Sequence, residues 1–286
     1  MKVRAPGRRS SGPLQPSQST ETVPAHEGNP PEAVVDAAER LSPAVREGAR
    51  PAFYALGRGG WRDYITLLHP PYTLWHLSYV VLGAALSPAL RYDRLAATLL
   101  AFFLAVGVAA HALDELNGRP LQTRIPRFAL AALGVGGLVG AIIIGIAGAI
   151  LASPWLLVFV AFGAFIAPAY NLEWFRGRFH SDFWFAVAWG VFPFLTAYYA
   201  SAGRLEPSAV LGAVAVFALS LAQRVLSRRV RAIRRQVRSI EGSVVYADGT
   251  MEDIGRAWAL AADERALLLL ACSTSGLSLA ALLARV

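Results

Sequence analysis

Cysteine, lysine and charge of either sign are all scarce in this chain. Cys272 is the only cysteine among 286 residues, so no disulfide can form within the chain. Lys2 is the only lysine, and charged residues make up 16% of the total. With 55% apolar residues and a mean hydropathy of +0.45, that scarcity excludes an ordinary soluble domain. The net charge of +8 would suit a nucleic-acid binder, but no aromatics are interleaved with the arginines to stack on bases. Nucleic acid is therefore not an expected partner. Arg8-Arg9 is followed by Pro, Ser, Glu and Gly instead of an apolar core, so it is not a twin-arginine export signal.

What the chain has instead is long apolar runs. Crossing a hydrocarbon core of about 30 Å takes roughly 20 helical residues at 1.5 Å each. Seven stretches qualify, near 72–90, 95–113, 128–148, 154–171, 183–201, 208–226 and 265–284. In lipid the backbone must satisfy its own polar groups, so these runs are expected to be helices. The expected fold is an all-α polytopic bundle of about seven transmembrane helices over residues 51–286. Residues 1–50 read as a disordered tail, with a short helix at 31–49. Trp61–Leu68 is expected either to lie in the interface or to begin the first span. Gly136-xxx-Gly140 predicts close helix packing in the third span.

Arginine placement orients the bundle. Arg119, Arg124 and Arg127 follow the second span, Arg176 and Arg178 the fourth, and a run from Arg224 to Arg256 the sixth. The opposite connections hold only Arg91, Arg94, Arg204 and the terminal Arg285. The positive-inside rule then predicts a multi-pass protein of the cell membrane, N-terminus cytoplasmic and C-terminus external.

Two polar clusters fall on that arginine-rich face. The first contains His111, Asp114, Glu115, Asn117, Arg119 and Arg124; the second contains Asn171, Glu173, Arg176, Arg178, His180 and Asp182. Spacings of three and four put His111, Asp114 and Glu115 on one side of a helix end. Ionisable groups at membrane depth point to a polar ligand. Carboxylates suit Mg²⁺ bridged to phosphate, and arginine forks suit phosphate oxygens. The plainer reading is a set of interfacial ion pairs. Downstream, Leu226, Val230, Ile233, Val237 and Ile240 form an apolar stripe beside a basic one of Arg224, Arg228, Arg231, Arg235 and Arg238. That helix either touches anionic lipid headgroups or supplies counter-charge to a diphosphate in place of Mg²⁺.

Four segments within residues 58–226 resemble the UbiA-type membrane prenyltransferases. Gly60-Trp-Arg-Asp-Tyr-Ile-Thr-Leu-Leu-His-Pro70 is similar to the family's helix ahead of the first span. His111-Ala-Leu-Asp114 with Arg119-Pro120-Leu121 falls where the family has its first Asp-rich motif. Tyr170-Asn-Leu-Glu-Trp-Phe-Arg176 resembles the segment after the fourth span, and Ala188-Trp-Gly190-Val-Phe-Pro193 the fifth span. The family pattern Asn-Asp-x-x-Asp-x-x-x-Asp is incomplete here, reading Ala110, His111, Asp114 and Gly118. Its second Asp-rich motif is replaced by the arginine run, and the family usually has nine spans. Asp248, Glu252 and Asp253 read as a solvated loop and helix start.

The resemblance implies transfer of an isoprenyl group from a prenyl diphosphate to a lipid-soluble acceptor. In that reading Asp114 and Glu115 hold Mg²⁺, and Arg119, Asn171, Arg176, Arg178 and Asp182 bind substrate. His111 or Asp182 takes the acceptor's proton. The incomplete motifs equally suit a non-catalytic relative that binds a lipid or a membrane partner. A transporter would be expected to show repeated or broken spans, and none is evident.

Overall fold

The computed structural model describes residues 50–286; the tail and short helix expected over 1–49 lie outside the described residues. Gly59 and Gly60, both at positive φ, turn the chain into helix α1 (Trp61–Leu67). His69 takes a left-handed conformation, and Pro70-Pro71 then start α2 (Pro70–Leu86), where the missing N–H groups cost nothing. Helices α3 (Tyr92–Leu116), α4 (Arg127–Leu151), α5 (Leu156–Asn171) and α6 (Asp182–Ala202) follow. Ser181 caps α6 by accepting the Trp184 N–H, and Gly203 closes it at φ 71°. The last three elements are the 30-residue α7 (Pro207–Gln236), a β1–β2 hairpin (Gly242–Val245, Met251–Ile254) and α8 (Arg256–Leu283).

Five of these helices, α3, α4, α6, α7 and α8, are long and apolar enough to cross a membrane. This corrects the expectation of seven. Helices do form at the other two places, but α2 has 17 residues and α5 has 16, about 25 Å each. The bundle is all-α as expected, with one short hairpin appended in place of the expected loop and helix start: Glu252 and Asp253 lie in β2 and Asp248 in its turn, all exposed.

Core packing centres on α2. Trp75 and Tyr79 are enclosed against Phe194 and Tyr198 of α6 and Ala271 of α8, while Val80 and Ala84 belong to a second buried cluster with Phe102 of α3 and Ala197 of α6. Contact is close enough that a Cβ on Gly83 would sit 2.1 Å from the Phe194 carbonyl oxygen. On α4 the tight seam is Gly134 and Gly137, which meet Leu113 and the Leu104 carbonyl of α3. Gly136 is exposed, so the Gly136-xxx-Gly140 pair does not form the seam. Two stretches wind with wider π-type turns, Phe103–Ala110 in α3 and Val187–Val191 in α6, next to the polar end of the bundle.

Candidate functional site

The chain brings its ionisable groups to one end of the bundle, where α3, α5 and α7 finish and α2, α6 and α8 begin. His111 and Asp114 come from the last turns of α3, Tyr170 and Asn171 from the end of α5, and Asp182 from the start of α6. Asn117 fastens α3 to α5 by donating its side-chain N–H to the Asn171 carbonyl at 3.1 Å. The final turns of α7 supply Arg224, Arg228, Arg231 and Arg235.

The Asp114 carboxylate makes no hydrogen bond or ion pair among the described residues, yet it lies within electrostatic reach of Arg235, Arg231, His180 and Arg224. Arg231 and Arg235 likewise have no carboxylate partner among the described residues; they lie close to each other, and Arg231 also to Tyr72 and Tyr170. The Arg235 Nε atom, the Tyr170 hydroxyl, His69 Nε2 and Gln223 Oε1 are all buried without a hydrogen-bond partner. Buried polar groups are normally satisfied, so four orphans at one end make it the candidate site.

Aromatic rings wall the site. His69 and His111 stack at 4.1 Å with an interplanar angle of 8°, and Tyr170 stacks on His180 at 4.5 Å. The Tyr54 hydroxyl lies 2.8 Å from His69 Nδ1. Burial, reinforced by His111 and Arg235, pushes the His69 imidazole well below its ordinary range, so it is neutral. Burial and the adjacent Tyr72 raise the Tyr54 phenol well above its own range. His111 Nδ1 lies 3.2 Å from the Gly107 carbonyl; an oxygen there can only accept, so Nδ1 carries the proton and Nε2 a lone pair.

The residues expected from the sequence divide sharply. Asp114 and His111 stand in the site. Glu115 is fully buried and faces the following loop, accepting from the Leu121 N–H, the Thr123 N–H and the Thr123 hydroxyl at 2.8–2.9 Å. Both its oxygens are committed, which corrects its assignment as catalytic or as a metal ligand. Arg119 is also structural, donating to the Thr123 and Ile125 carbonyls at 2.7 and 3.0 Å. Arg176 and Arg178 are exposed, on a tight turn where Glu173, Phe175 and Arg176 have positive φ, and neither is among Asp114's charged neighbours. Asp182 is at the site but is held by Arg224 Nε at 3.0 Å and Arg228 Nη1 at 2.8 Å. Asn171 is buried and its amide donates to the Ala167 carbonyl.

The residues present do not fit an ion held by the protein. Among the described residues no three His, Cys, Asp or Glu side chains gather as metal ligands, and Asp114 is the one carboxylate at the site without a partner. The positive charge there comes from guanidinium groups. His69 and Tyr54 were not among the site residues expected from the sequence, whereas Arg231 and Arg235 were, as one of two readings of the basic stripe. The spacing 224, 231, 235 places those arginines on one helix face, a signal that was legible in advance. Comparison of the chain with protein-family models, curated proteins and solved structures finds no match.

Proposed function

We propose that this end of the bundle binds the diphosphate of an isoprenyl lipid, with the arginines of α7 standing where UbiA-type enzymes have their second Asp-rich motif. The observation that carries this reading is the pair Arg231 and Arg235, two interior guanidinium groups without a carboxylate partner. Four guanidinium groups (Arg224, Arg228, Arg231 and Arg235) face two carboxylates, Asp114 and Asp182. That leaves a positive surplus matched to a phosphorylated headgroup, and planar forks suit its oxygens. The arginine-rich end is the cytoplasmic one on the positive-inside rule, in a cell membrane.

Transfer chemistry follows from the same arrangement. The allylic C–O bond breaks and the diphosphate leaves with the electron pair, stabilised by Arg231, Arg235 and Arg224. The acceptor's nucleophilic atom then bonds to the freed allylic carbon and gives up its proton. His111 Nε2 has the lone pair to take it, whereas Asp182 is tied to two arginines. Asp114 stands where a positive charge developing on the prenyl carbon or on His111 would be met by a carboxylate.

The test is binding of labelled farnesyl diphosphate to purified protein, with Mg²⁺ and with a chelator. Binding should persist in the chelator and weaken at least tenfold in each of Arg231→Gln and Arg235→Gln. Unchanged affinity in the double variant would discard the site. Adding lipid-soluble phenolic acceptors then separates the two readings of the chain: a labelled product marks a transferase, and binding without product marks a lipid-binding relative.

A further inference from the structure

A second feature lies at the opposite end of the bundle. An apolar groove of about 510 Å³ runs between α3, α4, α5 and α6, within the range of ligand pockets. Small residues are among those that line it: Ala97, Ala101 and Ala105 on α3, Gly145 and Gly148 on α4, Gly163 on α5. Along α3 it extends from Arg91 to Ala105, about 20 Å at 1.5 Å per residue. Val106 and Ala110 of α3, Ile166 of α5 and Trp189 of α6 belong to one buried cluster and come, along each helix, between the groove and the site. The groove is therefore separate from the diphosphate site.

Its walls are apolar, and its charged residues gather at one end, as Arg91, Asp93 and Arg94. An occupant must then be an amphiphile with its chain along the helices and its head at that end. The head must be anionic. Arg94 is half-buried, donates to the Ala200 carbonyl at 2.9 Å and has no carboxylate partner among the described residues. Arg91 meets Asp93 at 3.4 Å with both side chains more than half exposed, a pair weak enough for a phosphate to displace. These two arginines also stand on the surface that otherwise has few. The source nearest to hand is the bilayer itself, because Ile143 and Leu151 on the groove's rim are exposed toward it.

The geometry points to a built-in site for one acyl chain of an anionic glycerophospholipid, drawn from the leaflet opposite the diphosphate site, with its phosphate on Arg91 and Arg94. The lipid wedges α4, the least enclosed of the membrane-length helices, against α3 and α6.

Native mass spectrometry of the full chain, after exchange into mild detergent with phosphatidylglycerol or phosphatidylcholine, reads this directly. One phosphatidylglycerol should be retained at least tenfold better than phosphatidylcholine. Arg91→Gln with Arg94→Gln should abolish that preference, and an unchanged thermal midpoint in detergent checks that the loss of the Arg94 bond to the Ala200 carbonyl has not unfolded the protein. Ala101→Phe, which fills the groove, should remove the bound lipid. Farnesyl diphosphate binding should be unchanged in both variants, which separates this proposal from the one above. Equal retention of the two lipids by the parent protein, a preference that survives the double arginine variant, or undiminished lipid in Ala101→Phe would each overturn it.

Discussion

Glu115 accepts three hydrogen bonds from the loop that follows α3, while Asp114, one residue earlier, accepts none among the described residues. The difference comes from the loop. Residues 117–126 fold back so that Leu121 and Thr123 present their N–H groups to one carboxylate only. Replacing that acceptor with an amide leaves buried donors facing an NH₂ group. Glu115→Gln should therefore cost about 1–3 kcal/mol of stability, lowering the thermal midpoint in detergent while leaving farnesyl diphosphate affinity intact. Asp114→Asn should leave the thermal midpoint intact and should not weaken farnesyl diphosphate binding, since it removes a negative charge beside the arginines; its cost should fall on transfer to an acceptor. Spacing in the sequence placed both acids at one helix end, and this much was legible. It could not say which one the loop would claim, because that depends on how the ten residues 117–126, without helical or strand periodicity, close on themselves.

Helix α7 illustrates how an element acquires two roles. At 30 residues it is about 45 Å long, well beyond the hydrocarbon thickness, so its final turns stand at the polar end of the bundle. There Arg234, with a side chain only 4% exposed, pairs with Glu264 of α8 at 2.5 Å, while Arg231 and Arg235 on the neighbouring face go to the site. The arginine stripe was visible in the sequence; its direction was not, since a solvated face and a site-lining face have the same period. Helix α2 makes the complementary point. Its apolar run was evident, but its central place follows from Gly83, whose missing side chain admits the α6 backbone. Gly83→Leu should force α2 and α6 apart at an overpacking cost of about 1–3 kcal/mol or more. Thermal unfolding in detergent measures that loss, and an unchanged midpoint would mean the two helices are not in such contact.

For the molecule as a whole, the decisive fact is what its outer surface is made of. Val135, Val139, Ile143, Ile146 and Ile150 are exposed along α4 alone, and α7 adds Val210, Leu211 and Val214. Apolar belts of this size on several helices need a hydrocarbon surround. The sequence showed the belts because no periodicity hid them; it overstated the membrane-length helices because α2 and α5 are largely apolar yet short. The arrangement also fixes a relation between the two ends. Helix α8 starts beside the site, where Arg234 reaches Glu264, and ends at the opposite end of the bundle, where Arg285 reaches the Pro88 carbonyl. Its length and apolar composition predict that the hairpin turn at Asp248 and Val286 lie on opposite sides of a membrane. Cys272 is the only native thiol, so a Cys272→Ser background carrying either Asp248→Cys or Val286→Cys reports each side separately. With a membrane-impermeant maleimide on intact cells, Val286→Cys should label directly and Asp248→Cys only after permeabilisation. Reversed labelling would invert the orientation drawn from the arginines, and labelling of both positions from one side would show that α8 does not cross.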